Sequence, residues 1–471
     1  MPANSWPEND SYSEFDPLNS LLSELSVDDE EPMEEAYNNS LSLPSRFQNR
    51  RRKAALVFTV VWSGTIALHL ASWGLLFVLG FTLIIGIHAF KTVFSKPRIY
   101  PEVIKGNLPF ITLLVAAKNE EAVIGNLAKN LCNLKYPNDN YEVWIVDDDS
   151  TDKTPQILAE AAKEYKHLNV FQRKPGATGG KSGALNQVLS LTKGEIVAVF
   201  DADAQIPPDL LMDVVPLFQR SKVGAVQVRK AIANADENLW TKGQAVEMPL
   251  DMFLLHQRTA SGGIGELRGN GQFVRREALK SCGGWNEETI TDDLDLTLRL
   301  HLDNWDIECV FDSYVKEEGV TNAIALWHQR NRWAEGGYQR YLDYWDLILK
   351  NRMGTRKTCD MLIFMLIMYI LPAAVVPDFF MAAIRHRLPI YSPLTTLTMS
   401  VSMIGMFRGL VRARKGEKLT ISAYLVLMLQ TVRGILYMSH WFIVIASANA
   451  RMAVLPKRLK WVKTFHQGNM S

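Results

Sequence analysis

The segments YEVWIVDDDSTD (residues 141–152) and EIVAVFDAD (residues 195–203) each join a short run of mainly apolar residues to a cluster of aspartates. Short apolar runs that end abruptly in polar residues are typical of buried strands. Around them lie segments in which apolar residues recur every three and four positions, as in amphipathic helices. Strands and helices in alternation predict a mostly parallel sheet covered by helices on both faces.

This alternation extends from residue 108 to about residue 322. The predicted strands are Phe110–Ala116, Tyr141–Val146, Asn169–Gln172, Glu195–Phe200 and Gly224–Val228. The predicted helices are Glu120–Leu131, Lys153–Glu164, Lys181–Leu191 and Pro208–Phe218. Ligands of such sheets bind beyond the carboxyl ends of the strands, so the residues just after each strand are the candidate site residues.

A long apolar run precedes the α/β pattern. Ala54 to Phe90 contains no Asp, Glu, Lys or Arg. As one helix it would be about 55 Å long, whereas the hydrocarbon core of a bilayer is about 30 Å thick. We therefore predict two spans that turn at residues 72–74, and the basic residues at both ends of the run place both ends on the cytoplasmic side.

Three further apolar stretches follow the α/β region, at Met361–Ile384, Leu388–Phe407 and Leu419–Ala448. Basic clusters at residues 408–418 and 457–463 favour the cytoplasmic side for both segments. The third stretch is long for one span, short for two, and carries Arg433 in its middle. The basic flanks favour a re-entrant pair that returns to the cytoplasm, and a single tilted span with an external C-terminus is the alternative.

Charge and cysteine patterns argue against two classes of protein. The formal net charge is +1, yet residues 1–45 hold eleven acids and no Lys, Arg or His, so residues 46–471 carry +12. Cytosolic membrane flanks and attraction to anionic lipids account for that positive charge without a nucleic-acid partner. The four cysteines show no CxxC pair and no His at a zinc-ligand spacing, which indicates reduced packing residues.

Charged clusters lie where the predicted sheet would bind a ligand. Aspartates 147–149 follow the second strand, and Asp201 and Asp203 follow the fourth. Two carboxylates that flank one residue suit a hard divalent cation and a ribose hydroxyl. Lys181 opens a helix after a Gly-rich loop, an arrangement that suits a diphosphate. Helix capping alone could explain any one of these clusters. Because all of them lie at the edge of the sheet where ligands bind, together they favour a nucleotide site.

Two more motifs occur later in the sequence. TDD (residues 291–293) opens a Leu-rich helix, where the helix dipole favours first-turn acids and one acid can serve as a general base. QRNRW (residues 329–333) lies in an aromatic-rich segment just before the C-terminal apolar stretches. This segment is typical of an amphipathic interfacial helix, and its guanidinium pair and Trp also suit phosphates or a sugar ring.

Taken in order, AKNE (117–120), DDDSTD (147–152), KSG (181–183), DAD (201–203), TDD (291–293) and QRNRW (329–333) resemble the motifs of the inverting GT-A glycosyltransferases of family 2. The resemblance is to the membrane-integrated branch that includes cellulose and hyaluronan synthases. It implies an α/β fold, with a GT-A nucleotide-sugar-binding domain inserted between N- and C-terminal transmembrane helices.

The resemblance also implies roles for individual residues. Donor binding is implied for Glu120, Asp147, Asp148, Lys181 and Asp201. Asp203 is implied as the ligand of Mg²⁺ or Mn²⁺, and Asp293 as the catalytic base. The acceptor and diphosphate region is implied for Gln329, Arg330, Arg332 and Trp333.

Within this family the acidic tail, the two-helix N-terminal block and the length most resemble cyanobacterial enzymes that glucosylate diacylglycerol. UDP-glucose, diacylglycerol and a bilayer, with anionic lipids, are then the expected partners. A processive polysaccharide synthase and a non-catalytic membrane sensor are the alternatives. The expected organisation is an acidic disordered cytoplasmic tail (1–45), a transmembrane hairpin (46–98), a catalytic domain (99–322), interfacial helices (323–358), C-terminal transmembrane helices (359–450) and a basic cytoplasmic tail (451–471).

Overall fold

The computed structural model describes residues 49–96 and 108–455. The acidic tail predicted at residues 1–45 and most of the basic tail predicted at 451–471 lie outside these residues. The described residues form a mixed sheet, the helices that cover it and a group of apolar helices.

Seven strands form one mixed sheet in the order β3-β2-β1-β4-β6-β5-β7. They are β1 (Ile111–Ala117), β2 (Tyr141–Asp147), β3 (Leu168–Gln172), β4 (Ile196–Phe200), β5 (Val223–Ile232), β6 (Gln272–Arg275) and β7 (Asp306–Glu317). All neighbouring strands are parallel except at β6, which is antiparallel to both β4 and β5. The carboxyl ends of β1, β2 and β4 therefore meet at one edge of the sheet, where the predicted aspartates lie.

Helices cover both faces of this sheet. They are α3 (Ile124–Cys132), α4 (Thr154–Glu164), α5 (Gly180–Leu189), α6 (Leu210–Val214), α8 (Arg276–Ser281) and α9 (Asp292–Leu302). Leu113 packs with α3 and α6 on one face, whereas the next residue, Leu114, packs with α5 and α9 on the other. Both leucines are fully buried, and burial on both faces is the reason that the parallel strands read as continuous apolar runs.

The predicted helix Pro208–Phe218 is shorter in the structure than expected. The α-helix α6 ends at Val214, and a 3₁₀ segment, Val215–Gln219, follows. Pro216 has no backbone N–H and cannot continue the helical hydrogen bonds, which explains the change.

Two long helices join the sheet to the apolar helices. They are α7 (Leu239–Ala260) and α10 (Ala323–Leu349). Met252 and Phe253 of α7 pack on Cys309 and Phe311 of β7, so α7 covers the β5–β7 side of the sheet. Neither α7 nor β6 nor β7 was predicted from the sequence.

The remaining helices are strongly apolar. They are α1 (Arg50–Leu70), α2 (Gly74–Val93), α11 (Thr355–Met365), α12 (Leu371–Ile384), α13 (Ser392–Ala413), α14 (Ile421–Met438) and α15 (His440–Val454). A π-helical turn at Leu366–Ile370 joins α11 to α12. By length and composition, five helical stretches of the described chain can cross a membrane: Arg50–Leu70, Gly74–Val93, Thr355–Ile384, Ser392–Ala413 and Ile421–Val454.

The first and last of the described helices both pack on α10. Arg50 of α1 forms a buried ion pair with Asp343 of α10, with Nε donating to Oδ1 at 2.6 Å. Ala54 of α1 belongs to the same apolar cluster as Val444 and Ala448 of α15. The two membrane blocks are thus joined to each other through the helix that carries QRNRW.

Candidate active site

The loops after β1 and β2 bring together the first three predicted donor residues. Asp147 is 1% exposed, and its Oδ1 accepts a hydrogen bond from the Ser150 N–H at 3.3 Å. Asp148 Oδ1 accepts one from Arg173 at 2.5 Å, an ion pair that the sequence reading missed. Glu120 is buried beside them, and its N–H donates to Thr154 Oγ1 at 2.8 Å. These carboxylates line one end of the candidate donor site.

Lys181 and Asp201 form an ion pair at the centre of this edge. Lys181 lies in the first turn of α5 and Asp201 directly follows β4, and their Nζ and Oδ1 atoms are 2.5 Å apart. Burial lowers the pKa of Lys181, but Asp201, together with Asp292 and Asp293, raises it overall above its ordinary value. The Asp201 N–H donates to Asn270 Oδ1 at 3.2 Å. Lys181 therefore stays positively charged, next to three carboxylates.

Asp203 lies two residues further on, and its Oδ2 accepts a hydrogen bond from the Glu318 N–H at 2.7 Å. Within residues 49–96 and 108–455, no three His, Cys, Asp or Glu side chains form a group that could hold a metal ion by themselves. Asp201 and Asp203 offer carboxylate oxygens, and the Asp201 side chain is 40% exposed. These two residues fit a hard divalent cation that takes its other oxygens from a bound diphosphate and from water.

Asp293 lies in the first turn of α9, facing the same edge. Its Oδ1 accepts a hydrogen bond from the Leu294 N–H at 2.9 Å. Burial, and next the adjacent Asp292 carboxylate, raise the pKa of Asp293 to about 6, while the Leu294 N–H, Arg268 and Lys181 oppose the rise. A carboxylate with such a pKa is mostly ionised at neutral pH and can accept a proton, as a general base must.

Two more cationic side chains, Lys230 and Arg332, lie near Asp201 and Asp293, and Lys230 was not predicted from the sequence. Lys230, near the carboxyl end of β5, pairs with Glu317 at 3.0 Å, and its Nζ lies 5.0 Å from the centre of the Trp333 ring. Burial lowers the pKa of Lys230, but Glu317, and after it Asp201 and Asp293, raise the pKa above its ordinary value. The position of Lys230, two residues beyond the predicted strand Gly224–Val228, was the signal that could have identified it.

Arg332 is the other cationic side chain near Asp201 and Asp293. Burial lowers its pKa, and the charges of Asp201, Asp293 and Asp292 act in the opposite direction. Arg332 therefore lies close enough to these carboxylates to interact with them electrostatically. Together Lys181, Lys230 and Arg332 offset the negative charge of Asp201 and Asp293.

Arg330 lies elsewhere, although it is only two residues from Arg332. It is fully buried, and its Nη2 donates to Glu247 Oε2 of α7 at 2.6 Å. Its guanidinium carbon is 4.3 Å from the centre of the Trp333 ring and 5.2 Å from that of Trp441. The structure thus places Arg330 behind Trp333, paired with Glu247, whereas Arg332 lies among the charged residues of the candidate site. Residues two apart on a helix face nearly opposite sides.

The other two predicted residues of QRNRW, Gln329 and Trp333, are half-buried. They are four apart on α10 and so share one face of the helix, next to Arg332. Asn270 is a site residue that sequence reasoning missed. It is fully buried, and its Nδ2 donates to Glu317 Oε2 at 3.3 Å, so it connects Asp201 to the Lys230 pair.

Comparisons with known proteins identify the family and the fold. Residues 109–336 match the glycosyltransferase like family 2. Beta-monoglucosyldiacylglycerol synthase of Nostoc sp. is 70% identical over 468 residues, which is 99% of each chain. The Synechocystis sp. protein of that name is 50% identical over 472 residues, covering 99% of this chain and 97% of the relative.

Among solved structures, mannosyltransferase PcManGT from Pyrobaculum calidifontis in complex with GDP-Man and Mn²⁺ matches with a TM-score of 0.50. The match covers 85% of this chain and 99% of that chain at 20% identity, so it bears on the fold alone. The predicted GT-A fold and family 2 resemblance are confirmed. This chain belongs to the beta-monoglucosyldiacylglycerol synthases, a family of glycosyltransferases of glycolipid synthesis.

Proposed function

We propose that this protein transfers glucose from UDP-glucose to diacylglycerol with inversion at the anomeric carbon, giving beta-monoglucosyldiacylglycerol. The relatives named for this product match nearly the whole chain. The observation that carries the reaction type is Asp293, a carboxylate with a pKa of about 6 in the same charged cluster as Lys181 and Asp201. A base that faces a nucleotide-diphosphate site is the arrangement that a single displacement needs.

The donor lies along the carboxyl edge of the sheet in this proposal. Glu120, Asp147 and Asp148 bind the uridine, since they are grouped by the loops after β1 and β2. Lys181 and Asp201 contact the nucleotide or the sugar from the strand end of β4. With the uridine bound at that end, the sugar of the donor would lie near Asp293 and the cationic side chains of the site.

The reaction is one displacement step. The acceptor hydroxyl oxygen forms a bond to the anomeric carbon as its proton passes to an Asp293 carboxylate oxygen. The bond from that carbon to the diphosphate oxygen breaks on the opposite face, and UDP leaves with the electron pair. Attack opposite the leaving group converts the α-linked donor into a β-linked product without a covalent enzyme intermediate.

The cations that surround the site stabilise the leaving group. Lys181 and Lys230 are held by ion pairs with Asp201 and Glu317, and Arg332 lies among the same charged residues, so the three can offset charge on the diphosphate. Asp203, with Asp201, would hold a divalent cation, Mg²⁺ or Mn²⁺, which supplies further charge neutralisation when bound. Trp333, Gln329 and Arg332 form the acceptor side, and Arg330 positions Trp333 from behind.

The proposed location is a cyanobacterial membrane, with the catalytic domain and both termini in the cytoplasm. The apolar helices and the basic flanks of the sequence support this orientation. Lys and Arg residues beside the helices suit anionic lipids.

The decisive experiment supplies the purified protein in nanodiscs with labelled UDP-glucose or UDP-galactose and with diacylglycerol. We expect a β-linked glucolipid from UDP-glucose, formed at least roughly 10²-fold more slowly by the Asp293→Asn variant. Asp303→Asn, the same charge change at the far, exposed end of α9, is the matched control and should retain turnover. A polymer without glycolipid, or a galactolipid as the main product, would overturn the proposal.

A further inference from the structure

We propose that Arg268, which no motif of the sequence singled out, is a positioning residue for the base Asp293. Arg268 lies in the loop of residues 266–271, immediately before β6. The inference rests on the function proposed above, because it gives Arg268 the role of keeping the Asp293 carboxylate ionised and in place for the transfer. It is supported by the contacts of this loop, by the groups that hold Arg268, and by the charges around Asp293.

The 266–271 loop is fixed against the helical turn that carries the base. The Leu267 N–H donates to Thr297 Oγ1 at 2.8 Å, and that hydroxyl donates to the Asp293 carbonyl oxygen at 2.9 Å. A Cβ atom on Gly269 would lie 3.6 Å from Asp293 Oδ2, so the loop backbone runs beside the carboxylate itself. The residue before Gly269 is therefore well placed to act on Asp293.

The backbone of Arg268 is held by Gln227, a fully buried residue of β5. Gln227 Oε1 accepts a hydrogen bond from the Arg268 N–H at 2.7 Å, and Gln227 Nε2 donates to the Asn270 carbonyl oxygen at 2.8 Å. One side-chain amide thus binds the loop on both sides of Gly269. The position of Arg268 is therefore fixed relative to the edge of the sheet.

Two carboxylates hold the Arg268 side chain. Its Nε and Nη2 atoms donate to the two carboxylate oxygens of Asp251 of α7, each at 3.0 Å, and its Nη1 donates to Glu266 Oε2 at 2.6 Å. A bidentate pair of this kind fixes the plane of the guanidinium group. The charge of Arg268 therefore has a defined place beside the base.

Glu266 is itself held by two further arginines. Arg258 of α7 and Arg340 of α10 both donate to Glu266 Oε1, each at 3.3 Å. Burial raises the pKa of Glu266, but Arg340, Arg268 and Arg258 bring it well below its ordinary value. Because Glu266 stays ionised, Arg268 keeps this partner throughout the pH range in which Asp293 titrates.

Arg268 differs from the other cations near the base in what anchors it. The charged groups that act on Asp293 from the surrounding elements are Asp292, Arg268, Lys181, Lys230 and Arg332. In the proposed function the two lysines and Arg332 face the diphosphate, whereas Arg268 is bound to α7 through Asp251. Burial and Asp292 raise the pKa of Asp293, and Arg268 opposes the rise. Arg268 is therefore the cation that continues to serve the base when the donor is bound.

The acid limb of kcat/KM for glucolipid formation tests this assignment. Arg268→Gln removes a positive charge beside Asp293, so the pKa of Asp293 should rise and the limb should move to higher pH. A rise of about one unit, the low end of the effect of a nearby opposite charge, lowers kcat/KM about ninefold at pH 5 and by about a tenth at pH 8. Partial unfolding would instead lower kcat/KM without following this titration.

Two further variants separate the charge of Arg268 from its packing. Arg268→Lys keeps the charge and should return the limb close to its wild-type position. Arg220→Gln is the matched control, because Arg220 also pairs with two carboxylates, Asp306 and Glu308, but at the amino-terminal end of β7. It should leave the limb in place. A limb that Arg268→Gln does not move, that Arg268→Lys does not restore, or that Arg220→Gln moves as far would overturn the proposal.

A double variant keeps the test decisive if Arg268→Gln does not fold. Adding Asp251→Asn removes the carboxylate that would otherwise lose its bidentate partner, and Glu266 keeps Arg258 and Arg340. The limb should again lie at higher pH than in the wild type. A wild-type limb in the folded double variant would overturn the proposal.

Infrared difference spectroscopy separates this inference from the proposed function. The full-length protein in nanodiscs is titrated, and the spectrum of the same protein with Asp293→Asn is subtracted, which isolates the Asp293 carboxyl band without any turnover. We expect a pKa of about 6 in the wild type and a higher value in Arg268→Gln. If the wild type forms no glucolipid, the proposed function fails, whereas the infrared titration still decides the effect of Arg268 on Asp293. Equal pKa values in the two proteins would overturn the inference even in an active enzyme.

Discussion

The pKa of Asp293 leads to a quantitative prediction for the pH dependence of the reaction. Burial and the Asp292 carboxylate raise this pKa from 3.8 to about 6. Because the base must be deprotonated, kcat/KM is lost as the pH falls through the raised pKa. With a pKa of about 6, about 91% of Asp293 is ionised at pH 7 and about 9% at pH 5, so kcat/KM should fall about tenfold between them. An aspartate at 3.8 would lose almost nothing over that range.

Replacing Asp292 by Asn tests the cause of the shift. The change removes the neighbouring negative charge, so the pKa of Asp293 should fall and the acid limb of kcat/KM should move to lower pH. The assay is the initial rate of glucolipid formation at subsaturating UDP-glucose between pH 4.5 and 8.5, in one nanodisc preparation. Asp303→Asn, about 15 Å away along the same helix and beyond the screening distance of physiological salt, should leave the limb in place. A wild-type profile flat down to pH 5, or a limb that Asp292→Asn does not move, would refute the reasoning.

The structure leads to four further expected outcomes. Asp293→Asn should lower kcat by at least roughly 10²-fold while UDP binding, measured by calorimetry, persists; loss of both would indicate a structural role instead. Arg330→Met should destabilise the protein by about 3 to 5 kcal/mol in thermal unfolding, because it leaves Glu247 charged, buried and without its ion pair. Adding Glu247→Gln should recover much of that loss, and no recovery would contradict the ion-pair explanation. EDTA should abolish turnover, and Mg²⁺ or Mn²⁺ should restore it; full activity in EDTA would contradict the assignment of Asp203. Deleting residues 2–40 should leave turnover in detergent intact, whereas its loss would show that the acidic segment takes part in catalysis.

The strands that were predicted correctly are those buried on both faces. β1, β2 and β4 have apolar residues at nearly every position, so their sequence is unambiguous. β7 was missed because its DIECVFDSYVKE sequence mixes charged and apolar residues, several of which form ion pairs that are visible only in three dimensions. β6 has only four residues, too few for a periodic pattern.

The candidate site also contains both residues that local sequence patterns predict and residues that only the tertiary structure reveals. Motif order located Asp201 and Asp293, since strand ends and helix starts are local features of a sequence. Lys230 and Asn270 reach the site through strand pairing and through a loop between two positive-φ glycines, Gly269 and Gly271, neither of which has a local signature. The QRNRW motif placed Arg330 and Arg332 together, but only the structure shows that the two side chains have different neighbours, since residues two apart on a helix point to nearly opposite sides.

The packing of the first described helix against the last has a consequence for biosynthesis. Asp343, the partner of Arg50, and Val444, which packs in the same cluster as Ala54, are both synthesised long after α1. Helix α1 therefore cannot reach its final environment until almost the whole chain has left the ribosome. Until Asp343 has been made, Arg50 lacks this ion pair, and until α15 has been made, the apolar surface beside α1 is not covered by it. A chain cut short before α15 would keep that seam exposed, and membrane quality control would have a feature by which to recognise it. The enzyme thus completes its membrane assembly only once its C-terminal helix has been made.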